Sequence, residues 1–365
     1  MSTHMKICLT KEDTLLLKGL AITAIVLHNI YHNYIGSITE NEFEFHPESF
    51  NSFWRLFLHP DISIFNNFFS FYGHYGVPLF FFVSGYGLTK KYQNIYIDTN
   101  FFCFIKEHIK KLWLLFVPLL LLFIIIFSLK SFYNHEILDA INKIGHVLLH
   151  AFYRITFIGN FIPGEAEWLF GPWWFFSAIL QLYIIYWLFL RKASSPTLAS
   201  IGVVCILFQI IIYWENPIWL ALIRHNFPAW LPALILGILW ARSDKREIPV
   251  AIVCFLVALC FAADGNFYSW LLFSPLFFLP FLLASSIIKK GKRLKSIFVW
   301  LGKQSASLFA VNGFVRLYII SPVFSTEKLY NPAYLFLIGL FSLGGCICFT
   351  VLYSRLLKFI RNYIE

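Results

Sequence analysis

The chain has 365 residues and a formal net charge of +10; 59% of its residues are hydrophobic, 20% aromatic and 13% charged, with a mean hydropathy of +0.70. Soluble globular domains carry about twice that charged fraction, so the composition excludes one and points to an integral membrane protein whose apolar runs cross as helices. No polar block is large enough for a second domain, and residues 1–365 read as a single, all-α, polytopic unit.

Ten spans follow from apolar run length, at 14–34, 62–88, 111–130, 171–190, 197–214, 228–242, 248–263, 268–288, 296–317 and 333–354. The first follows Lys6, Lys11, Glu12 and Asp13, with no hydrophobic leader or small-residue cleavage pattern before it, which marks a retained span. From Leu17 to Tyr34 it reads LKGLAITAIVLHNIYHNY, with Lys18 near one end and His28, Asn29, His32 and Asn33 near the other. At 1.5 Å rise per residue His28 stands about 15 Å above Lys18, near mid-membrane or outward of it. His28 and His32 are four residues apart, share a helix face and can line one cavity. Ionisable groups at that depth mark functional sites by default; the bland reading is a helix terminus meeting the interface.

A second informative stretch, GHYGVPLFFFVSGYGLTKKY from Gly73 to Tyr92, overlaps the second span and is a dense aromatic run interrupted by Gly73, Gly76, Ser84, Gly85 and Gly87. Such positions serve close helix packing, or a local break that turns backbone groups toward a cavity. Lys90, Lys91, Lys106, Lys110 and Lys111 gather around the loop that follows, which suits an anionic cytosolic ligand and equally suits topology. Residues 144–162, GHVLLHAFYRITFIGNFIP, are apolar enough to tempt an eleventh span, but counting them would move Arg191, Lys192 and every later basic cluster outside. They read as an external interfacial or re-entrant segment with His146, His150 and Arg154 on one face. In 164–186, Trp168, Trp173 and Trp174 form an outer aromatic belt beside Glu165 and Glu167, and Ser177 and Gln181 share a face.

With both termini cytoplasmic, twenty of the 29 basic residues fall on one side, the KKGKRLK cluster at 289–295 among them. Acidic residues such as Glu40, Glu42, Glu165, Glu167, Asp264 and Glu327 fall on the other, in keeping with the positive-inside bias. The net charge therefore requires no nucleic-acid partner. All seven cysteines lie in spans or on the cytoplasmic side, so no disulfide framework is expected, and the Cys/His spacing of a metal site is lacking.

Six stretches together, LKGLAITAIVLH, YGVPLFFFVSGYGLTKKY, KEHIKKLWLLFVP, WWFFSAILQLYIIY, LGILWAR and LGKQSASLFAVNGFVR, resemble the bacterial membrane acyltransferase-3 family. Its members transfer acyl groups, usually acetyl, to carbohydrate hydroxyls, and the resemblance covers most of the chain. It implies about ten helices in the bacterial inner membrane, acyl-CoA (acetyl-CoA above all) as donor substrate, no permanently bound cofactor, and a cell-surface, exported or lipid-linked glycan as acceptor. The family often places an arginine in the first helix and its histidine eleven residues later. Here Lys18 stands for the arginine and Asn29 holds the eleventh position, with His28 one residue earlier, a rotation of about 100°. The family's arginines before the third helix are replaced by Lys106, Lys110 and Lys111, which keep charge without bidentate phosphate geometry.

A thioester is already an activated donor, so the minimal machine is one base for the sugar hydroxyl plus donors for the developing oxyanion. His28 is the expected base and His32 the alternative. Lys18, Lys90, Lys91 and Lys110 are expected to hold the donor, and Asn29, Ser84, Trp173, Glu167 and Arg316 to contact the substrate. A histidine-lined cavity in a helical bundle also describes a transporter or proton-coupled channel, although no inverted repeat is visible. An acyltransferase-like chain that has lost activity is the third reading.

Overall fold

The computed structural model describes residues 4–6, 8–32, 37–92, 100–134, 136–243, 247–320 and 331–364; Asn33, Lys245, Arg246 and Glu327 lie outside them. Strand β1 (His4–Lys6) precedes α1 (Lys11–Tyr31), which Thr10 opens with a capping box. The Thr10 hydroxyl accepts from the Asp13 amide at 3.1 Å, and the Asp13 carboxylate accepts from the Thr10 amide at 2.9 Å. Asp13 also pairs with Lys289 at 2.7 Å and Glu12 with Lys295 at 2.8 Å, so α1 starts against the 289–295 basic cluster.

Loop 37–46 leads into α2 (Pro47–Leu58) and α3 (Ile64–Tyr72), which a single 3-10 turn, Gly73–Tyr75, separates from α4 (Gly76–Tyr92). The stretch read from sequence as one span over 62–88 is therefore broken. The break lies where the chain grazes α1: a Cβ on Gly73 would stand 2.7 Å from His28 Cβ and 2.8 Å from the Ala24 carbonyl. After α4 come α5 (Phe101–Asn134), α6 (Ile137–Ile155), α7 (Trp174–Ile185) with a π turn over Tyr186–Leu190, α8 (Ser195–Glu215), α9 (Pro217–Arg224) and α10 (Phe227–Arg242). Strand β2 (Glu247–Pro249) pairs antiparallel with β1, a three-residue exception to the helical architecture. The chain closes with α11 (Val250–Ala263), α12 (Phe267–Phe273), α13 (Phe278–Ile288), α14 (Lys292–Val315) with a π turn over Arg316–Ile320, and α15 (Pro332–Ile364).

Among the described residues five stretches are long and apolar enough to cross a membrane: α1, α5, α8, Phe267–Ile288 and Pro332–Ile360. Helices α9 and α10, bent by 50° at their junction, make a sixth if taken as one broken span, while α7 with its π turn and α11 are apolar but shorter. The protein is a multi-pass helical membrane protein. Helix α6, which contains much of the ambiguous 144–162 segment, is not among the apolar spans.

Two pairs of helices cross at glycines. A Cβ on Gly19 would strike the Phe298 carbonyl and one on Gly302 the Leu15 carbonyl, so α1 and α14 touch backbone to backbone; Gly85 and Gly237 do the same for α4 and α10 against Leu234 and Phe82. Helix α4 meets α1 at Gly76, where a Cβ would stand 2.6 Å from the Ala21 carbonyl, and narrow cavities lie among α1, α4 and α14.

The opposite end of α1 is covered by polar chain. Arg224, 2% exposed, donates from Nε to the Glu42 carbonyl and from Nη1 to Gln209 Oε1 at 3.0 Å, and its guanidinium lies 4.3 Å from the Trp270 ring centroid. Asn41, fully buried, accepts from the His46 amide at 2.7 Å and donates to the Asp264 carbonyl at 3.3 Å. Tyr75 donates to Asp264 Oδ1 at 2.5 Å, while Asp264 Oδ2 is buried without a partner. Burial raises the Asp264 pKa from 3.8 to about 8, against the opposing effects of the Tyr75 bond and the Arg224 charge.

Two outcomes are expected. Gly237→Leu should lower the thermal stability of the detergent-solubilised protein by about 1–3 kcal/mol through overpacking against the Phe82 carbonyl, whereas Gly87→Leu, where a Cβ meets nothing within 4 Å, should be neutral. Equal losses would show that the seam does not govern packing. For Asp264 the folded-state pKa is raised, so its contribution is complete below the unfolded value of 3.8 and is lost as pH climbs toward about 8. Asp264→Asn should therefore flatten the fall of melting temperature between about pH 5 and pH 8, and an unchanged slope would refute the assignment.

Candidate active site

A cavity of about 230 Å³ at the end of α1 is lined by His28, Asn29, His32, Glu42, His74, Glu167, Trp174 and Arg316, among others. His28 is 2% exposed. Its Nδ1 lies 3.0 Å from the Ser70 carbonyl and 3.3 Å from the Phe69 carbonyl, both in the last turn of α3; the Phe69 carbonyl also accepts from the Gly73 amide. A carbonyl only accepts, so Nδ1 carries the proton and Nε2 keeps its lone pair. That Nε2 is buried and has no hydrogen-bond partner; Glu40 Oε1 and Glu42 Oε2 each stand 3.9 Å from it. The break at Gly73 thus supplies the carbonyls that fix the imidazole.

The two carboxyls come from loop 37–46 and have opposite states. Burial raises the Glu40 pKa, but the hydrogen bond from His32, whose Nδ1 lies 2.9 Å from Oε1, together with the neighbouring imidazoles, outweighs it and holds Glu40 well below the usual carboxylate range. Glu42 is pushed well above that range by burial and by the charges of Glu40 and Glu167. The surroundings thus favour the anion at Glu40, which orients His32, and the protonated, donating form at Glu42. Phe43, the residue after Glu42, stacks on His225 at 3.9 Å and also lines the cavity. The ligand atoms of His28, His32 and Glu40 lie within 4.8 Å of one another, a set able to hold one small cation. His74, its ring 5.5 Å from that of His28, has both nitrogens buried without partners.

Glu167 comes from the loop before α7. The hydrogen bond from His225 Nε2, at 3.4 Å, lowers its pKa and outweighs its burial. Helix α6 clamps this loop: Arg154 donates to the carbonyls of Glu165, Ala166 and Trp168 at 2.5, 2.7 and 2.9 Å, and His150 Nδ1 lies 2.6 Å from Glu165. The polar face read from the sequence of α6 therefore holds a loop in place. Leu169 and Gly171, at φ of 75° and 49°, turn that loop back toward α7.

A second cavity, of about 210 Å³, lies on the Lys18 side and is lined by Lys18, Ser84, His108, Lys111, Tyr183 and Ser305, among others. Lys18 has no acidic partner among the described residues.

The sequence-predicted residues separate accordingly. His28, His32, Asn29, Glu167 and Arg316 meet in the outer cavity, where Arg316 donates to the Asn29 carbonyl at 2.6 Å. Lys18 and Ser84 meet in the inner one. Lys90 and Lys91 lie over the Tyr86 and Tyr92 rings at 5.7 and 4.8 Å, Lys110 is exposed, and none of the three lines either cavity; Lys111 does. Trp173 is 2% exposed and donates from Nε1 to the Ala310 carbonyl at 3.0 Å, a core role, and its neighbour Trp174 reaches the outer cavity. Sequence reasoning did not pick Glu40, Glu42, His74 or His108. His74 sits at the glycine-flanked break and His108 within the lysine cluster, and those two positions were the available signals.

No curated protein and no solved structure matches the chain. The family model described as an acyltransferase domain matches residues 16–351, a range that takes in α1 through most of α15 and both cavities. The chain accordingly belongs to the acyltransferase-3 family and is a membrane acyltransferase that transfers acyl groups other than aminoacyl groups.

Proposed function

We propose that the protein moves an acyl group, acetyl first among them, from acyl-CoA on the cytoplasmic side to a glycan hydroxyl on the outer side of a bacterial inner membrane, with His28 as general base. The observation that carries this reading is the state of His28: Nδ1 committed to the Ser70 carbonyl, Nε2 unpartnered beside a polar cavity. A neutral imidazole with a free, aimed lone pair is what a hydroxyl nucleophile requires.

The acceptor hydroxyl gives its proton to His28 Nε2 as its oxygen attacks the thioester carbon. Charge develops on the carbonyl oxygen, where neutral Glu42, Asn29 and Arg316 offer donors. The carbon–sulfur bond then breaks, and the departing thiolate takes the proton from His28. Lys18 and Lys111 of the inner cavity attract the coenzyme's phosphates. Ten spans with both termini cytoplasmic complete the reading, supported by the basic residues gathered on one side and by the contact of Asp13 and Glu12 with the 289–295 cluster.

Transfer of radiolabelled acetyl from acetyl-CoA in membranes should fall by roughly 10²–10⁴-fold in His28→Ala and much less in His32→Ala. A strong chelator should leave wild-type transfer unchanged. Inhibition reversed by added Zn²⁺ would instead make His28, His32 and Glu40 metal ligands and remove the lone pair from use as a base, and full activity in His28→Ala would end the proposal outright. For topology, Glu136→Cys, exposed between α5 and α6, should react with an impermeant maleimide in right-side-out vesicles. Labelling only after the membrane is opened would reverse the orientation.

A further inference from the structure

Among the residues lining the two cavities, Phe309 alone lines both. Along α14, Ser305 faces the inner cavity and Arg316 the outer one, and spacings of four and seven residues keep Phe309 on their face, between them. The neighbouring helices change sides at the same level. On α1, Lys18 is inner and Ile25 outer; on α4, Ser84 is inner and Val77 outer; on α7, Phe175 is inner and Trp174 outer. The Phe309 ring is 4% exposed and lies 4.9 Å from Phe175 and 6.4 Å from Phe80. A layer of aromatic rings, with Phe309 at its centre, is what stands between the lysines and His28.

We propose that Phe309 is a movable septum, closing the inner cavity from the outer one until its ring swings aside to let the acyl thioester reach His28. This rests on the reading that the donor enters from the Lys18 side. A thioester is uncharged and weakly polar, so passage through an aromatic collar costs it little, while the phosphates, costly to desolvate, stay with Lys18 and Lys111. The opening is the gap left by one ring. Phe309 thereby sets the acyl group that crosses, favouring short chains, and keeps the two cavities from joining into a leak. It is a positioning and specificity residue and exchanges no proton.

The test reads access independently of transfer. In a variant whose exposed cysteines Cys8, Cys103, Cys254 and Cys348 are serine, Ser305→Cys is placed in the inner cavity and treated with a small impermeant methanethiosulfonate in right-side-out and inside-out vesicles. With Phe309 present, labelling is expected from the Lys18 side only; in Phe309→Ala it is expected from both sides, and Phe309→Trp should restore one-sided labelling. Phe309→Leu, shorter but still apolar, repeats the test should the alanine variant fail to insert. In the transfer assay Phe309→Ala should also shift donor preference toward hexanoyl-CoA over acetyl-CoA by about tenfold or more, the scale on which a hydrophobic wall discriminates chain length. Two-sided labelling with Phe309 intact, or one-sided labelling in both shortened variants, overturns the septum. Because labelling needs no catalysis, a failure of the acyl-CoA reading leaves that result standing, and the two failures are told apart.

Discussion

The bond between His28 Nδ1 and the Ser70 carbonyl is the constraint on which the rest depends. A helix within a bilayer ordinarily uses all of its own carbonyls, and a histidine placed there finds no acceptor of fixed position. Ending α3 one turn before α4 begins makes such acceptors available, and the glycine at the break allows that backbone to lie against α1. One irregular turn thus fixes the tautomer of a buried imidazole and leaves its other nitrogen toward the cavity.

Loop 37–46 then completes the chemistry from above. Its carboxyls lie close together, and their different surroundings push their pKa values in opposite directions. This arrangement holds only if the loop cannot move. Arg224 grips its backbone, Asn41 ties it to the α11 terminus, and Phe43 is stacked on His225. Arg224 and Asn41 are buried, so removing either leaves an unsatisfied polar group in place as well as a looser loop.

The helical membrane architecture and half of the site were legible in the sequence for identifiable reasons. Run length and charge asymmetry report on lipid and on orientation, and a histidine pair at helical spacing within an apolar run stands out against its surroundings. Lys18 was readable on the same grounds. Lys90, Lys91 and Lys110 carry the charge expected of a donor site, but composition does not tell which way a lysine at the end of a helix points, and Lys111, one residue on from Lys110, takes the inward direction. Trp173 and Trp174 are likewise adjacent, with about 100° between them on a helix deciding which is core and which lines the cavity. Glu40 and Glu42 lie on a loop with no periodicity to read, and Arg224, far away in sequence, is what makes that loop part of the site.

Two cavities set end to end would, if both held water, change the electrical thickness of the membrane at this point. Where each is filled by water from its own side, the membrane potential falls chiefly across the layer of rings at Phe309 and not over the full hydrocarbon depth. An elementary charge moved across that layer exchanges about 2.3 kcal/mol with each 100 mV of potential, while a neutral thioester or a protonated thiol exchanges none. In the proposed reaction, protonating the leaving sulfur before it withdraws would then do more than complete the transfer: it would uncouple movement of the acyl group from the potential.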